Sequence, residues 1–189
     1  MKPLFVKYVL PFFQWYGLMI LLAILVDYAL HKLDMIYIGR RLGIIGTAVI
    51  LFSFIYSLRK RKIIQSGSPK KLLALHEYLA WSGSVMLLVH AGIHFNALIP
   101  WLAIFMLLIV VASGLIGKFL LKKANESLKE RKQSLIIEGL NPDQIEKKLH
   151  FDSLTVNTMK KWRQVHMPIA MVLAALSLLH IISILIFTK

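Results

Sequence analysis

The sequence contains no cysteine in its 189 residues. This absence excludes structural disulfides, iron–sulfur clusters bound by this chain, and haem attached covalently through a Cys-x-x-Cys-His motif. Any cofactor of the protein must therefore be held without thiols.

Acidic residues are also scarce, since nine Asp and Glu stand against 23 Lys and Arg, which gives a formal net charge of +14. A nucleic-acid partner would require these cations to form a patch on a folded face. They lie instead between long apolar runs, where the topology of a membrane protein explains them. We therefore expect no nucleic-acid partner.

Hydrophobic residues make up 58% of the chain, and the mean hydropathy is +0.68. This composition predicts an integral membrane protein. No alternating ten-residue pattern indicates a barrel, so the fold class is expected to be an all-α membrane helical bundle. The apolar runs predict about five spans, the first of them uncleaved, at residues 8–30, 42–58, 72–95, 100–121 and 165–187.

Positive charge predicts the orientation of these spans. The loop "RKRKIIQSGSPKK" at 59–71 and the long loop 122–162 are both basic, and both are expected in the cytoplasm. The N-terminus is then cytoplasmic, the C-terminus lies outside, and spans three and five cross in the same direction. The loop 122–162 predicts two short amphipathic helices on the inner surface, with a break at Gly139 and a restart at Asn141-Pro142. We expect residues 1–189 to form a single membrane domain.

Histidines recur at equal spacing in two spans. His76 and His90 lie 14 residues apart in span three, and His166 and His180 lie 14 residues apart in span five. Fourteen residues of α-helix return to within about 40° of the starting face and rise roughly 21 Å. Each span therefore presents one imidazole near each membrane surface, with both imidazoles on one side of the helix.

Because the two spans are expected to be parallel, His76 lies level with His166 and His90 lies level with His180. A facing pair of neutral imidazoles can supply both axial ligands of a haem iron, so the pattern predicts two non-covalent haem b groups. His94 is an alternative to His90. Intramembrane histidines can also serve as hydrogen-bonded interior groups, in a proton relay or in a metal-ion path.

Gly83 lies seven residues from both His76 and His90, on the same helical face. A glycine there permits a macrocycle to approach closely, although small residues are equally typical of ordinary contacts between membrane helices.

Haem propionates are anionic and require cations. The candidates at the inner site precede His166 and are Lys160, Lys161 and Arg163. At the outer site the candidates are Arg40 and Arg41, whose alternative role is to anchor the helix at the membrane interface.

The segments "HEYLAWSGSVMLLVH" and "HMPIAMVLAALSLLH" resemble the transmembrane dihaem cytochromes b, and "KKWRQVH" is similar to the approach to the ligand helix in ferric-reductase-like membrane domains. The resemblance covers roughly residues 42–187 and leaves the first span unmatched. It implies that four of the spans form a haem-binding bundle. No flavin- or nicotinamide-binding domain follows, so a self-contained ferric reductase is not expected.

Iron with two histidine ligands has no open position for a substrate, so the expected chemistry is electron transfer. The expected protein is a membrane cytochrome b subunit of a quinone-linked or respiratory complex in a bacterial cytoplasmic membrane. The alternatives are an oxidoreductase that oxidises quinol or reduces an external acceptor, and a haem-free scaffold or ion carrier.

The partners expected of such a subunit are membrane lipid together with an outer cytochrome c or iron–sulfur protein, or an inner dehydrogenase. For a quinone, the candidate residues are Glu77, Trp81 and Asp27. Each of these three is equally explained as a structural hydrogen-bonding group.

Overall fold

A computed structural model describes residues 4–93 and 97–187, with side chains described except at positions 4–9, 93, 120–123, 155, 159, 162 and 163. Within this part of the chain every regular element is a helix, which confirms the all-α fold class. The elements are α1 (Leu4–Lys32), α2 (Ile36–Ser53), α3 (Ile55–Lys60), α4 (Pro69–Ile93), α5 (Leu98–Leu115), a π-helix (Ile116–Leu121), α6 (Lys122–Ile137) and α7 (Pro142–Phe187).

Five helical stretches are long and apolar enough to cross a membrane, as the sequence predicts. They are Leu10–Lys32, Ile36–Lys60, Pro69–Gly92, Leu98–Ile137 and Gln164–Phe187. The second begins six residues before the predicted start at Leu42, because the residues from Ile36 already take helical geometry. The protein is therefore an integral membrane protein of helical type.

The chain divides into two compact units. One consists of Met1–Tyr16 and Ala112–Ile169, and the other of Gly17–Val111 and Ala170–Lys189. Organisation as a single membrane domain with a four-helix haem-binding bundle stays a prediction.

In the first unit, α6 and the beginning of α7 form a helical hairpin around a small apolar core. Leu135 of α6 and both Ile145 and Leu149 of α7 are buried together, with Leu128 and Leu140 packed against them. On the hairpin surface, Arg131 Nη1 donates to Asp152 Oδ2 at 2.7 Å. Because both partners of this ion pair are partly exposed, the apolar core contributes more to stability than the pair does.

The turn of this hairpin lies where the sequence predicts it. Gly139 takes a φ of +77°, its N–H bonds to Ile136 O, and the N–H of Leu140 bonds to Leu135 O at 3.3 Å. This is the Schellman arrangement that a glycine at a helix C-terminus allows. The next helix begins at Pro142, and the side chain of Gln144 accepts a hydrogen bond from the N–H of Asn141, as in a capping box.

The predicted loop 122–162 differs from the structure in its second half. A short amphipathic helix was expected after Asn141, whereas α7 runs for 46 residues from Pro142 through the fifth span. The sequence has neither glycine nor proline between Asp143 and Met167, so nothing in it ends the helix. His150 accordingly lies in α7, while His31 lies in α1, and both are exposed.

In the second unit, α2 and α4 pack closely against each other. The buried residues of α2 are all small, namely Gly39, Gly43, Gly46 and Ser53. Early residues of α2 contact late residues of α4, so the two helices are antiparallel. Small residues let membrane helices approach closely where no hydrophobic force drives them together. The consequence is that side chains of α4 reach the backbone of α2.

The hairpin core can be tested by truncation of Leu149, which is 5% exposed. We expect Leu149→Ala to destabilise the hairpin by about 2–4 kcal/mol, because it leaves a cavity in a small core. Faster amide hydrogen exchange in α6 and the beginning of α7 is the measurement. Leu154→Ala is the matched control because Leu154 is 55% exposed on the same helix. Equal exchange rates in the two variants would contradict the assignment of this core.

Candidate functional site

The predicted ligand histidines of α4 both lie on the face of the helix that contacts α2. His76 Nδ1 lies 3.0 Å from Ser53 O, and His90 Nδ1 lies 3.2 Å from Gly39 O. Gly83, midway between them, also contacts α2. The predicted sharing of one face by residues 76, 83 and 90 is thus confirmed.

The acceptor for His76 exists because α2 is interrupted. The helix ends at Ser53 and α3 begins at Ile55, with Phe54 between them. The last carbonyls of an α-helix have no partner within the helix, so the Ser53 carbonyl is available to another donor. The ring of Tyr56 lies 5.6 Å from the imidazole, centroid to centroid, and the two ring planes are tilted by 30°. His76 is therefore held by both a hydrogen bond and a ring contact.

Gly43 of α2 leaves the space in which the His90 ring lies, and we call this space the glycine seat. A Cβ atom added to Gly43 would lie 2.8 Å from three atoms of the His90 ring, which is closer than real Cβ contacts come. Only a glycine at this position lets the imidazole lie over the helix backbone and reach Gly39 O. The spacing of Gly39 and Gly43 is the small-xxx-small pattern of membrane helix contacts.

Gly83 serves the contact between the helices. A Cβ at this position would lie 2.7 Å from Ile50 Cγ1 and 3.2 Å from Gly46 O. The structure therefore favours the second interpretation of Gly83, as a helix-contact residue. Ile50 lies beside Gly83 on the α2 side, while the interpretation of Gly83 as a haem-facing residue stays a prediction.

His166 lies in the other unit and contacts α5. Its Nδ1 forms a hydrogen bond with the Ser113 hydroxyl, and its Cε1 lies 3.7 Å from the position that a Cβ on Gly114 would take. His180 is half-buried on α7. The predicted pairing of His76 with His166, and of His90 with His180, stays a prediction.

The tautomer of the two α4 histidines follows from these contacts. A carbonyl oxygen can only accept a hydrogen bond, so Nδ1 of His76 and of His90 carries the proton. In the neutral ring Nε2 then carries the lone pair. A histidine that ligates a metal typically donates its other ring N–H to a carbonyl in this way.

The remaining predicted site residues lie apart from these contacts or outside the described side chains. Arg40 and Arg41 are exposed in the first turns of α2. The side chain of Arg163 and the whole of His94 lie outside the described residues. Within residues 4–93 and 97–187, His, Asp and Glu side chains form no group of three or more that could hold a metal ion, whereas an iron with two axial histidines needs only two.

Asp27, a candidate for quinone chemistry, lies against α4. Its carboxyl atoms are 2.9–3.0 Å from the position that a Cβ on Gly92 would take. Its Oδ1 is buried and has no hydrogen bond within the described part of the chain. His31 Nδ1 donates to the backbone oxygen of Asp27 at 2.9 Å and lies 3.5 Å from Oδ1. Glu77 and Trp81 are half-buried on α4.

Sequence reasoning missed the part that α2 plays. The signal was present in "GRRLGIIG", where glycines at 39, 43 and 46 follow a helical repeat. Ser113 was also missed, although it is the only hydroxyl residue between Leu98 and Leu115. A lone hydroxyl in an apolar span requires a partner, and here that partner is a histidine.

The glycine seat can be tested with a single methyl group. Gly43→Ala must displace the His90 ring and break its bond to Gly39 O, so we expect destabilisation by about 1–3 kcal/mol. Thermal denaturation in detergent measures this change. Gly17→Ala is the control, since nothing lies within 4 Å of its added Cβ; it should be neutral or slightly stabilising. A Gly43→Ala variant as stable as the parent would mean that His90 does not lie over Gly43.

Comparison with protein-family models, with curated proteins and with solved structures finds no match for this chain. The resemblance to dihaem cytochromes b accordingly rests on residues of this chain alone, namely the two equal histidine spacings and the residues around His166.

Proposed function

We propose that the protein transfers electrons across the membrane through two haem b groups, each held by two histidines. His76 and His166 would hold the inner group, and His90 and His180 the outer group. The protein would act as the membrane cytochrome b subunit of a quinone-linked or respiratory complex in a bacterial cytoplasmic membrane, with the N-terminus in the cytoplasm.

The observation that carries this proposal is the state of the two α4 imidazoles. Each has Nδ1 bonded to a carbonyl of α2, at 3.0 Å for His76 and 3.2 Å for His90. This bond selects the tautomer with the lone pair on Nε2, orients the ring and raises the basicity of the ligand atom. Two such rings, 14 residues apart, support two separate binding positions along one helix.

When bound, each haem would supply one-electron oxidation and reduction at an iron that has no open coordination position. The chain's own residues would hold the rings, exclude water and set the local charge. In this proposal Arg163 binds a propionate at the inner site, and Arg40 or Arg41 binds one at the outer site, because guanidinium and carboxylate groups pair strongly. Both outer arginines are exposed, so they are accessible to a carboxylate that is not part of this chain.

The partners in this proposal are other redox subunits. On the outer side the partner would be a cytochrome c or an iron–sulfur protein, and on the inner side it would be a dehydrogenase. Quinone would be the redox partner within the membrane. Asp27, whose buried Oδ1 has no hydrogen bond in the described part of the chain, supports a role in proton exchange with a quinol on the outer side.

A haem assay of purified protein tests the proposal. The pyridine haemochrome method should find about two haems per chain. His76→Ala and His166→Ala should each remove the same haem, and His90→Ala and His180→Ala should each remove the other. His31→Ala and His150→Ala are matched controls because both side chains are exposed, and they should retain both haems.

A colourless preparation, expressed with ample haem, would show that the chain is a scaffold or carrier without haem. If His94→Ala removed the haem that His180→Ala removes, while His90→Ala did not, the outer ligand would be His94. Reduction of the isolated subunit by quinol would identify it as an oxidoreductase in its own right, the alternative to a subunit that needs a partner.

A further inference from the structure

Ser113 is a buried hydroxyl residue in a strongly apolar span. It is 1% exposed and lies near the end of α5, in the span with a mean hydropathy of 2.6. Its Oγ is hydrogen-bonded to Nδ1 of His166. A hydroxyl in such surroundings costs free energy unless it is paired, so its pairing with one imidazole is a specific feature of this contact.

This contact differs in kind from those of His76 and His90. A carbonyl can only accept, so it dictates the tautomer of the ring that bonds to it. A serine hydroxyl can donate or accept, and its hydrogen rotates to suit the partner. If Ser113 donates, the neutral His166 carries its proton on Nε2, and Nε2 is blocked as a ligand. If Ser113 accepts, the lone pair that a metal ligand needs is on Nε2.

Gly114 does not confine the His166 ring as Gly43 confines the ring of His90. A Cβ added to Gly114 would lie 3.7 Å from Cε1 of His166, which is an ordinary van der Waals distance. At Gly43, in contrast, the added Cβ would collide with the ring of His90 at 2.8 Å. The described polar contact of the His166 ring with α5 is its hydrogen bond with Ser113.

We infer that Ser113 is the positioning residue of His166: its Oγ accepts a hydrogen bond from Nδ1–H, directs Nε2 to the inner iron and lowers the reduction potential there. This inference rests on the proposed function and deepens it. A hydrogen bond donated by Nδ1–H makes the imidazole a stronger electron donor, which favours the oxidised iron. The hydrogen-bond acceptor for His166 is then a side chain, whereas the acceptors for the two α4 histidines are backbone carbonyls.

The test is a spectroelectrochemical titration of the inner centre. It is read in a His90→Ala background, where only the inner haem is expected to remain. Ser113→Ala should raise the midpoint potential and change the low-spin EPR signal of the oxidised iron, because the acceptor is lost. Ser113→Thr retains the hydroxyl and should restore values near those of the parent.

Ser84→Ala is the matched control. Ser84 is also 1% exposed, but its hydroxyl donates to Ala80 O within its own helix at 2.7 Å. The same substitution there should move neither the potential nor the EPR signal. This control separates an effect on the ligand from a general effect of removing a buried hydroxyl.

The outcomes are decisive in each case. If Ser113→Ala loses the inner haem altogether and Ser113→Thr regains it, the positioning role is supported. If two haems are present but Ser113→Ala leaves the potential and the EPR signal unchanged, or shifts them no more than Ser84→Ala does, the inference is wrong while the proposed function stands. If the parent protein binds no haem, both fail.

Discussion

The close approach of α2 and α4 is the contact on which the arrangement of the candidate site depends. Lipid offers no hydrophobic drive for two apolar helices to associate, so their packing depends on how near the backbones can come. Gly39, Gly43 and Gly46 of α2 remove the side chains that would keep the helices apart, and Gly83 does the same on α4. The carbonyls of one helix thereby come within hydrogen-bonding distance of imidazoles on the other.

Different local features of α2 accommodate the imidazoles of His76 and His90. A helix interruption at Phe54 makes the Ser53 carbonyl available to His76, while glycine at 43 lets the ring of His90 lie over the helix and share the Gly39 carbonyl. Polar groups in hydrocarbon are costly unless they are paired. If these positions served only packing, an apolar residue would fill the same space without needing a hydrogen-bond acceptor, as a histidine does.

Much of the fold could be predicted from the sequence because the signals are local. Apolar runs predicted the spans, and Gly139 with Asn141-Pro142 predicted the turn between α6 and α7 through well-understood capping chemistry. The continuity of α7 from Pro142 to the start of the fifth span could also have been inferred, because residues 143–167 contain neither glycine nor proline. Helical periodicity correctly placed His76, Gly83 and His90 on one face.

The neighbours of that face could not be predicted in the same way. Periodicity along α4 says which residues share a face, but not which helix covers it, so it could not predict that Ile50 of α2 lies beside Gly83. The partner of His166 raised the same difficulty, because Ser113 lies 53 residues away in the chain. Contacts between helices depend on the whole set of spans, and no single span encodes them.

The central claim is that the α2 carbonyls fix the protons of His76 and His90 on Nδ1, so that in the proposed function Nε2 is the atom that would bind iron. Nitrogen-15 NMR of protein labelled at histidine measures this directly, since protonated, unprotonated and iron-bound ring nitrogens have distinct shifts. The account predicts a protonated Nδ1 on both residues, with Nε2 unprotonated in haem-free protein and iron-bound in haem-loaded protein. A proton on Nε2 of either residue would contradict it.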